Sequence, residues 1–219
     1  GGTFYFRPQN NVVLEAGSRY KYTVKVNTTG LTLEGCTIGS WADGGGESGA
    51  AEDLGYIYDS NTNTYTVYNA DGLMNVAELV NGGKTDINIT LDKNIDLTGK
   101  GWTPIGTSFD NSYKGTFDGG GHTITGLTVT TYDKYAGLFG WLNRAGTVKN
   151  VVMEGVQITS NQIYGGSIGG VVGSSWGTIE NCSVSGNVSG TVYVGGVVGV
   201  QIGGSITGCS SSATVKGTV

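Results

Sequence analysis

The chain has 219 residues, of which 41 are glycine and 2 are proline, and its 12 basic and 17 acidic side chains give a net charge of −5. The abundance of glycine with little charge favours β structure with many tight turns, and the scarcity of proline excludes collagen. No cluster of lysine and arginine could follow a phosphate backbone, and no apolar stretch approaches the roughly 18 residues that a membrane helix needs, so we expect no nucleic-acid partner and no membrane-spanning segment in this chain.

The first predicted element is an antiparallel β segment within residues 1–50. Apolar and polar residues alternate through residues 20–26, which predicts a strand with one buried face. Residues 27–30, Asn-Thr-Thr-Gly, predict a turn, and the alternation resumes at residues 31–33, so a hairpin is expected. Residues 51–66 are predicted to be a linker.

This N-terminal segment resembles the closing strands of fimbrillin-like domains of Gram-negative surface and pilus proteins. The resemblance rests on Leu-Glu-Ala-Gly-Ser-Arg-Tyr-Lys-Tyr at residues 14–22, Thr-Gly-Leu at residues 29–31 and Ile-Gly-Ser-Trp at residues 38–41. It implies that the segment corresponds to the end of such a domain.

A short helix is predicted near residues 71–81. Asp71 is the candidate N-cap, and Gly82-Gly83 is expected to end the helix. One face is apolar, formed by Leu73, Val76, Ala77 and Val80. We expect this helix to cover the first coil of the repeats that follow, because a solenoid needs capped ends.

From residue 87 onward the chain repeats itself. Short strands ending in glycine recur at residues 104–106, 137–140, 170–173 and 196–199, and their closing glycines lie 34, 33 and 26 residues apart. Periods in this range are typical of one solenoid coil per repeat. The pattern predicts an all-β parallel β-helix of about five coils over residues 67–219, and right-handed crossovers are expected.

A second set of strands supplies the predicted inward columns. We align residues 124–129 with 148–153, and residues 179–184 with 206–211. The predicted columns are Ile95, Leu127, Val151, Cys182 and Cys209, and beside them Leu97, Val129, Met153 and Val184. Asn94, Gly126, Asn150, Asn181 and Gly208 share one place in the alignment. Because glycine and asparagine tolerate positive φ, this place is predicted to be a corner.

The glycine-apolar-apolar-glycine units resemble the GLUG repeat family. Residues 115–124, Gly-Thr-Phe-Asp-Gly-Gly-Gly-His-Thr-Ile, and residues 102–106, Trp-Thr-Pro-Ile-Gly, carry the same resemblance. The family occurs in bacterial surface proteins and adhesins, and beside the protease region of some immunoglobulin A-specific metallopeptidases. The resemblance implies an extracellular or cell-surface, adhesive setting without a catalytic motif.

Catalytic chemistry finds little support in the sequence. His122 is the only histidine, so a zinc protease motif with two histidines is excluded, and a turn residue is expected. The acidic residues of the repeats fall at different predicted coil positions, and these are Asp110, Asp118, Asp133, Glu154 and Glu180. A polysaccharide-acting β-helix enzyme would need converging carboxylates. We therefore predict no catalytic residue, cofactor or metal.

Aromatic side chains are the candidate ligand contacts. Those predicted in the loops between strands are Tyr132, Tyr164, Tyr193, Trp141 and Trp176. They could contact a glycan or a host or neighbouring cell-surface protein, or merely cover glycine-rich turns. Two functions stay open, an adhesin-type binding module and a spacer that projects another domain. Cys182 and Cys209 are expected to stack on adjacent coils as free thiols.

Overall fold

The computed structural model describes residues 20–27, 30–38, 53–162 and 164–218. The chain divides between residues 54 and 55 into two compact units. In the first unit, β1 (Tyr20–Asn27) and β2 (Gly30–Ile38) pair antiparallel, with Tyr20 opposite Ile38 and Asn27 opposite Gly30. This confirms the predicted hairpin. The fimbrillin-like resemblance falls largely on residues 14–19 and 39–41, which lie outside the described residues.

The second unit begins with another antiparallel hairpin, made of β3 (Tyr56–Asp59) and β4 (Thr64–Val67). The predicted linker over residues 51–66 is therefore wrong where it overlaps these strands. Two apolar side chains of β4, Tyr65 and Val67, are buried, and Tyr65 packs against the ring of Tyr58 at 4.5 Å between centroids. The glycine-rich composition before residue 55 suggested a linker, but the alternation from residue 56 onward forms strands.

Helix α1 (Ala70–Asn81) follows, close to its predicted bounds, and buries Leu73, Val76, Ala77 and Val80 as expected. Its N-cap is Asn69, whose Oδ1 accepts a hydrogen bond of 2.8 Å from the backbone N–H of Gly72. The prediction of Asp71 as N-cap is wrong, because Asp71 lies inside the first turn and its carboxylate pairs with Lys100 at 2.5 Å. Among the described residues, no helix is long and apolar enough to cross a membrane.

Eighteen further strands build the solenoid. In chain order they are β5 (Asn88–Leu91), β6 (Ile95–Asp96), β7 (Thr116–Asp118), β8 (Thr123–Thr125), β9 (Thr128–Thr131), β10 (Tyr135–Ala136), β11 (Phe139–Leu142), β12 (Thr147–Lys149), β13 (Val152–Ser160), β14 (Ser167–Gly169), β15 (Val172–Ser175), β16 (Thr178–Glu180), β17 (Ser183–Gly190), β18 (Tyr193–Gly195), β19 (Val198–Gln201), β20 (Ser205–Thr207), β21 (Ser210–Ser211) and β22 (Thr214–Gly217).

These strands stack into four sheets that run along the solenoid. The first sheet has the order β3-β4-β5-β7-β12-β16-β20, and the second has β6-β8-β13-β17-β21, with β9 beside β13 and β22 beside β17. The third sheet is β10-β14-β18 and the fourth is β11-β15-β19. Apart from the antiparallel β3–β4 hairpin, every pairing between the strands of these four sheets is parallel. The predicted parallel β-solenoid is confirmed, but it has about four turns and not the predicted five coils.

The core is a set of in-register columns between the sheets. In the first sheet Ile89, Phe117, Val148 and Ile179 pair successively and are fully buried. Burial of each such side chain contributes about 1.5–3 kcal/mol, which a single coil could not obtain alone. On the last turn the corresponding Ile206 is 43% exposed.

One predicted alignment is wrong. The prediction paired Ile124 with Val148. In the structure Val148 pairs with Phe117, and Ile124 pairs with Met153. The columns are Ile95, Ile124, Met153 and Val184 in one place and Val129, Ile158, Val188 and Val215 in another. The predicted stacking of Met153 on Val184 and the predicted alignment of residues 179–184 with 206–211 are confirmed. Both sides of a corner carry the same alternation, so the sequence pattern matched the strand after the corner to the strand before it.

The predicted glycine and asparagine corner is confirmed for three of its five members. Asn150, Asn181 and Gly208 follow paired strands and have φ values of 54°, 50° and 64°. Gly126 also has a positive φ, of 68°, but its N–H donates to the carbonyl oxygen of Glu154 at a different corner. Asn94 is not among the described residues with positive φ.

Candidate functional site

The glycines that close the repeated units hold the third and fourth sheets close together. A Cβ added to Gly173 would lie 2.7 Å from the carbonyl oxygen of Ser167, and one added to Gly199 would lie 2.5 Å from the amide nitrogen of Ile168. Such distances leave no room for any side chain. Strands of the third and fourth sheets therefore form a tight arch that fixes the loops on either side of it.

One group of exposed aromatic side chains lies where the chain passes from the second sheet to the third. Tyr132 follows β9, Tyr164 follows β13, and Tyr193 is the first residue of β18. They are 74%, 77% and 53% exposed, and Val192 beside Tyr193 is 43% exposed. We call Tyr132, Tyr164, Val192 and Tyr193 the tyrosine surface. Tyr193 lies in a strand and not in the predicted loop.

Hydrogen bonds order the chain around this surface. The side chain of Gln162 donates from Nε2 to the carbonyl oxygen of Tyr132 over 3.0 Å, and its Oε1 accepts from the backbone N–H of Tyr164 over 3.2 Å. The N–H of Tyr193 donates to the carbonyl oxygen of Gly166 over 3.1 Å. One glutamine thus links the segments that carry two of the three tyrosines on neighbouring turns.

A second group of aromatic side chains surrounds Trp141 and Trp176. Phe109 packs edge to face with both rings, at 5.6 Å from Trp141 and 5.3 Å from Trp176. Tyr135 packs on Trp141 at 4.6 Å, and the guanidinium carbon of Arg144 lies 5.7 Å from the centre of the Trp176 ring. We call these five residues the tryptophan cluster.

The sequence predicted two members of the tryptophan cluster and missed three. Trp141 was expected in a loop, but it lies in β11 and only 8% of its surface is exposed. Trp176 follows β15 and is half-buried. Phe109, Tyr135 and Arg144 carry no local signal, since Phe109 is 32 and 67 residues away from the tryptophans that it contacts.

The polar atoms of the tryptophan cluster are unusual. Nε1 of Trp141 is buried and has no hydrogen-bond partner. Burial raises the pKa of the Tyr135 hydroxyl above its ordinary value. Phe109 is 49% exposed and Arg144 is exposed, so the accessible parts of the cluster are the Phe109 ring and the Arg144 guanidinium group, whereas Nε1 of Trp141 is covered.

The carboxylates are placed differently from the prediction in one respect. Asp118 and Glu180 share one column on the first sheet, on either side of Lys149, whereas they were expected at different coil positions. Lys149 Nζ lies 3.3 Å from Asp118. Burial raises the pKa of Asp118, but hydrogen bonds from Asn150 and Gly120 and the charge of Lys149 outweigh it, so the net pKa is lowered. A general acid needs the opposite shift.

Three further residues that the sequence analysis considered, His122, Cys182 and Cys209, take part in hydrogen bonds within the solenoid. The N–H of His122 donates to the carbonyl oxygen of Gly119 over 2.8 Å, as expected of a turn residue. Within the described parts of the chain, no three His, Cys, Asp or Glu side chains are grouped so that they could hold a metal ion. Cys182 and Cys209 are free thiols on adjacent turns, and Cys209 Sγ accepts from the backbone N–H of Cys182 at 3.4 Å.

Comparison with known proteins identifies the repeats. The GLUG motif matches residues 164–189 and 190–216. Halomucin of Haloquadratum walsbyi is 34% identical over 158 residues, which are 67% of this chain and 2% of that protein. A "putative Gly-rich membrane protein" of Evansella cellulosilytica is 34% identical over 131 residues, which are 56% of this chain and 14% of that protein.

A solved structure shares the fold. It is the crystal structure of a "putative immunoglobulin A1 protease" from Bacteroides ovatus, with a TM-score of 0.60 and 27% sequence identity. The similarity covers 69% of this chain and 48% of that one. The chain therefore spans less than half the length of each of these three proteins.

Proposed function

We propose that this chain, which carries GLUG motifs in its solenoid, is a non-catalytic binding module of a cell-surface or secreted protein, of the adhesin type. The observation that carries the proposal is the tyrosine surface. Three tyrosines, each more than half exposed, lie at one corner of the solenoid. The closely packed glycines of the third and fourth sheets restrict movement of the backbone in this scaffold. Aromatic side chains on ordered loops of a rigid scaffold are frequent anchors of recognition.

The relatives support a surface setting for this module. The name of the Evansella cellulosilytica protein places that protein at a membrane. We propose that this chain lies on the extracellular side, where a rigid solenoid can present its corners to a glycan or to a protein of a host or neighbouring cell.

The absence of catalysis is also part of the proposal. The name of the Bacteroides ovatus protein assigns a protease activity to that protein. In this chain the single histidine cannot form a two-histidine zinc motif, and the carboxylate column on the first sheet has an ion-paired Asp118 with a lowered pKa. These observations favour binding over hydrolysis.

A spacer is the second candidate function. The chain matches 2% of halomucin and 14% of the Evansella cellulosilytica protein, so similar repeats are small pieces of much longer proteins. A stack of turns is suited to projecting another domain away from a surface. As a spacer, the chain would bind nothing through its tyrosine surface.

A binding screen distinguishes the two candidates. The isolated chain is applied to arrays of glycans and extracellular matrix proteins, and Tyr132, Tyr164 and Tyr193 are then changed together to serine. We expect affinity for the captured ligand to fall by about 1–3 kcal/mol with little loss of stability, because the three side chains are exposed.

The matched control changes three exposed residues on the outer face of the second sheet, Thr128, Gln157 and Asn187, to serine. These residues lie on the same three turns as the tyrosines, and their replacement should leave affinity unchanged. Unchanged affinity in the tyrosine triple variant would show that the tyrosine surface is not the contact. The absence of any captured ligand would favour the spacer.

A further inference from the structure

We infer that the turn formed by β18–β22 docks against the same turn of a second copy of this chain, so that two chains form a symmetric dimer. We call the side of β18, β19, β20, β21 and β22 that faces away from the preceding turn the open edge. The inference goes beyond the proposed binding function and does not depend on it, because it uses the edges of strands and not the exposed tyrosine rings.

The strands of the open edge are paired on one side only among the described residues. β18, β19 and β20 pair with β14, β15 and β16 of the preceding turn, and β21 and β22 both pair with β17. In the strand order, β18, β19, β20 and β21 are the last members of their sheets. The backbone N–H and C=O groups along the open edge therefore have no strand partner, whereas those of the inner turns do.

The apolar columns of the core also end uncovered at the open edge. Ile179 is fully buried, but Ile206, its partner on β20, is 43% exposed. Val188 is likewise fully buried, and Val215, its partner on β22, is 43% exposed. The inner member of each pair differs from the outer one in being covered by another turn. A further layer of strands on the open edge would remove this apolar surface from water.

The open edge lacks the charged residues and prolines that usually prevent edge strands from pairing. From residue 181 to residue 219 the sequence contains one charged residue, Lys216, and no proline. A surface with so little charge can approach a copy of itself without strong electrostatic repulsion. The open edge is therefore compatible with itself, as a two-fold interface requires.

The arrangement of the strands favours a second copy over an extended peptide. The strands of the open edge are two to four residues long and belong to all four sheets, so they lie around the whole turn. A single added strand would pair with one of them and gain few hydrogen bonds. A turn of the same solenoid carries strands of similar length around a similar coil, so it can meet several of them at once.

The opposite end of the solenoid does not supply this partner, because helix α1 covers it. The helix contacts β3, β4 and β6, at the beginning of the first and second sheets, and its apolar face is buried. Asn81 fixes the end of the helix, since its Nδ2 donates to the carbonyl oxygen of Pro104 over 3.1 Å and its Oδ1 accepts from the N–H of Gly106 over 2.9 Å. Two open edges therefore meet, which gives a closed dimer and not a filament.

The test measures the mass of the full chain in solution by sedimentation and light scattering, with a reductant present to exclude disulfides between chains. We expect a dimer, with twice the 22.6 kDa of one chain, that dissociates on dilution. Ile206→Lys and Val215→Lys each place a cation at the open edge of both copies, so each should weaken dimerisation about tenfold or more. Ile57→Lys is the matched control. Ile57 is 40% exposed on β3 at the other end of the first sheet, and its replacement should leave dimerisation unchanged.

Circular dichroism shows whether each variant is folded. Should both open-edge variants fail to fold, hydrogen–deuterium exchange of the unchanged chain decides the test. The amides of β20 and β22 should then exchange more slowly in concentrated than in dilute solution, while those of β3 should not change.

A chain that is monomeric at every concentration overturns the inference, and so does equal exchange of β20 and β22 at both concentrations. A dimer that persists in the folded Ile206→Lys and Val215→Lys variants overturns the open edge as its interface. Species larger than a dimer that Ile57→Lys weakens would show head-to-tail stacking and overturn the symmetric dimer.

Discussion

Asn181 donates from its side-chain Nδ2 to Oδ1 of Asn150 on the neighbouring turn, over 3.3 Å. Asn150 in turn donates to a carboxylate oxygen of Asp118 over 3.0 Å. These contacts form a ladder along one corner of the solenoid, and both asparagines have positive φ. Asparagine is suited to this corner because it tolerates the left-handed conformation and its amide both donates and accepts.

The ladder leads to a prediction with two variants of Asn181. Asn181→Gly keeps the backbone freedom but loses the side-chain bond, and it should lower the melting temperature by about 2–4 °C. Asn181→Ala loses the bond and also strains the backbone, so it should lower the melting temperature by about 4–8 °C. Thermal unfolding followed by circular dichroism measures both. Equal melting temperatures for the two variants would contradict the role of the positive φ.

The glycine arch gives a second prediction. Gly173→Ala would place its Cβ 2.7 Å from the carbonyl oxygen of Ser167 and 2.8 Å from that of Gly140. Backbone atoms on both sides cannot move without separating the sheets, so we expect a loss of about 3 kcal/mol or more in the free energy of unfolding. Denaturant titration measures this loss.

Gly166→Ala is the matched control for the arch. Its added Cβ would meet no atom closer than 3.4 Å, so we expect a change within about 1 kcal/mol. A Gly173→Ala protein as stable as the Gly166→Ala protein would show that the third and fourth sheets are not packed as closely as described.

Sequence periodicity predicted the solenoid because glycine arches and asparagine corners must recur on every turn. Asn150, Asn181 and Gly208 were placed in one column from the sequence alone, and the structure agrees. The register, that is, which residues of neighbouring strands pair, was predicted less well from the sequence. The strand with Phe117 and the strand with Ile124 have similar alternation on either side of one corner, and only hydrogen-bonded pairing shows that Phe117 is the partner of Val148.

The tryptophan cluster was only partly predictable for a related reason. Phe109 reaches Trp141 and Trp176 from another turn, and no local pattern in residues 107–111 identifies these neighbours. The buried state of Trp141 was missed because it lies in β11 and its ring is covered by Phe109 and Tyr135, which are distant in sequence or on another strand. Contacts between turns depend on coil length, which differs between repeats.

The start of helix α1 supplies a third prediction. Asn69→Ala removes the acceptor for the N–H of Gly72, a buried residue, and should lower the free energy of unfolding by about 1–2 kcal/mol. Asp71→Ala is the matched control, because its ion pair with Lys100 is solvent-exposed and should contribute about 0–1 kcal/mol. Asn69→Asp should retain most of the stability. A larger loss for Asp71→Ala than for Asn69→Ala would restore Asp71 as the cap.

Cys182 supplies the fourth prediction. Burial raises the pKa of its thiol to about 12, against an ordinary value of 9.0, so the folded state favours the neutral form. The stability that this shift contributes is complete below pH 9 and is lost as the pH rises from 9 towards 12.

Cys182→Val retains an apolar side chain in the column that continues from Val151, and it removes the titrating group. The melting temperature of the unchanged chain should therefore fall more steeply with pH than that of Cys182→Val across this window. Burial also raises the pKa of Tyr113, but Tyr113 is common to both proteins, so its contribution cancels in the difference. At pH 8 in the native chain, Cys182 should not react with a thiol reagent, because almost none of it is thiolate. The denatured, unreduced chain should yield three reactive thiols. One reactive thiol would instead show a disulfide, and parallel pH profiles for the two proteins would show that Cys182 titrates normally.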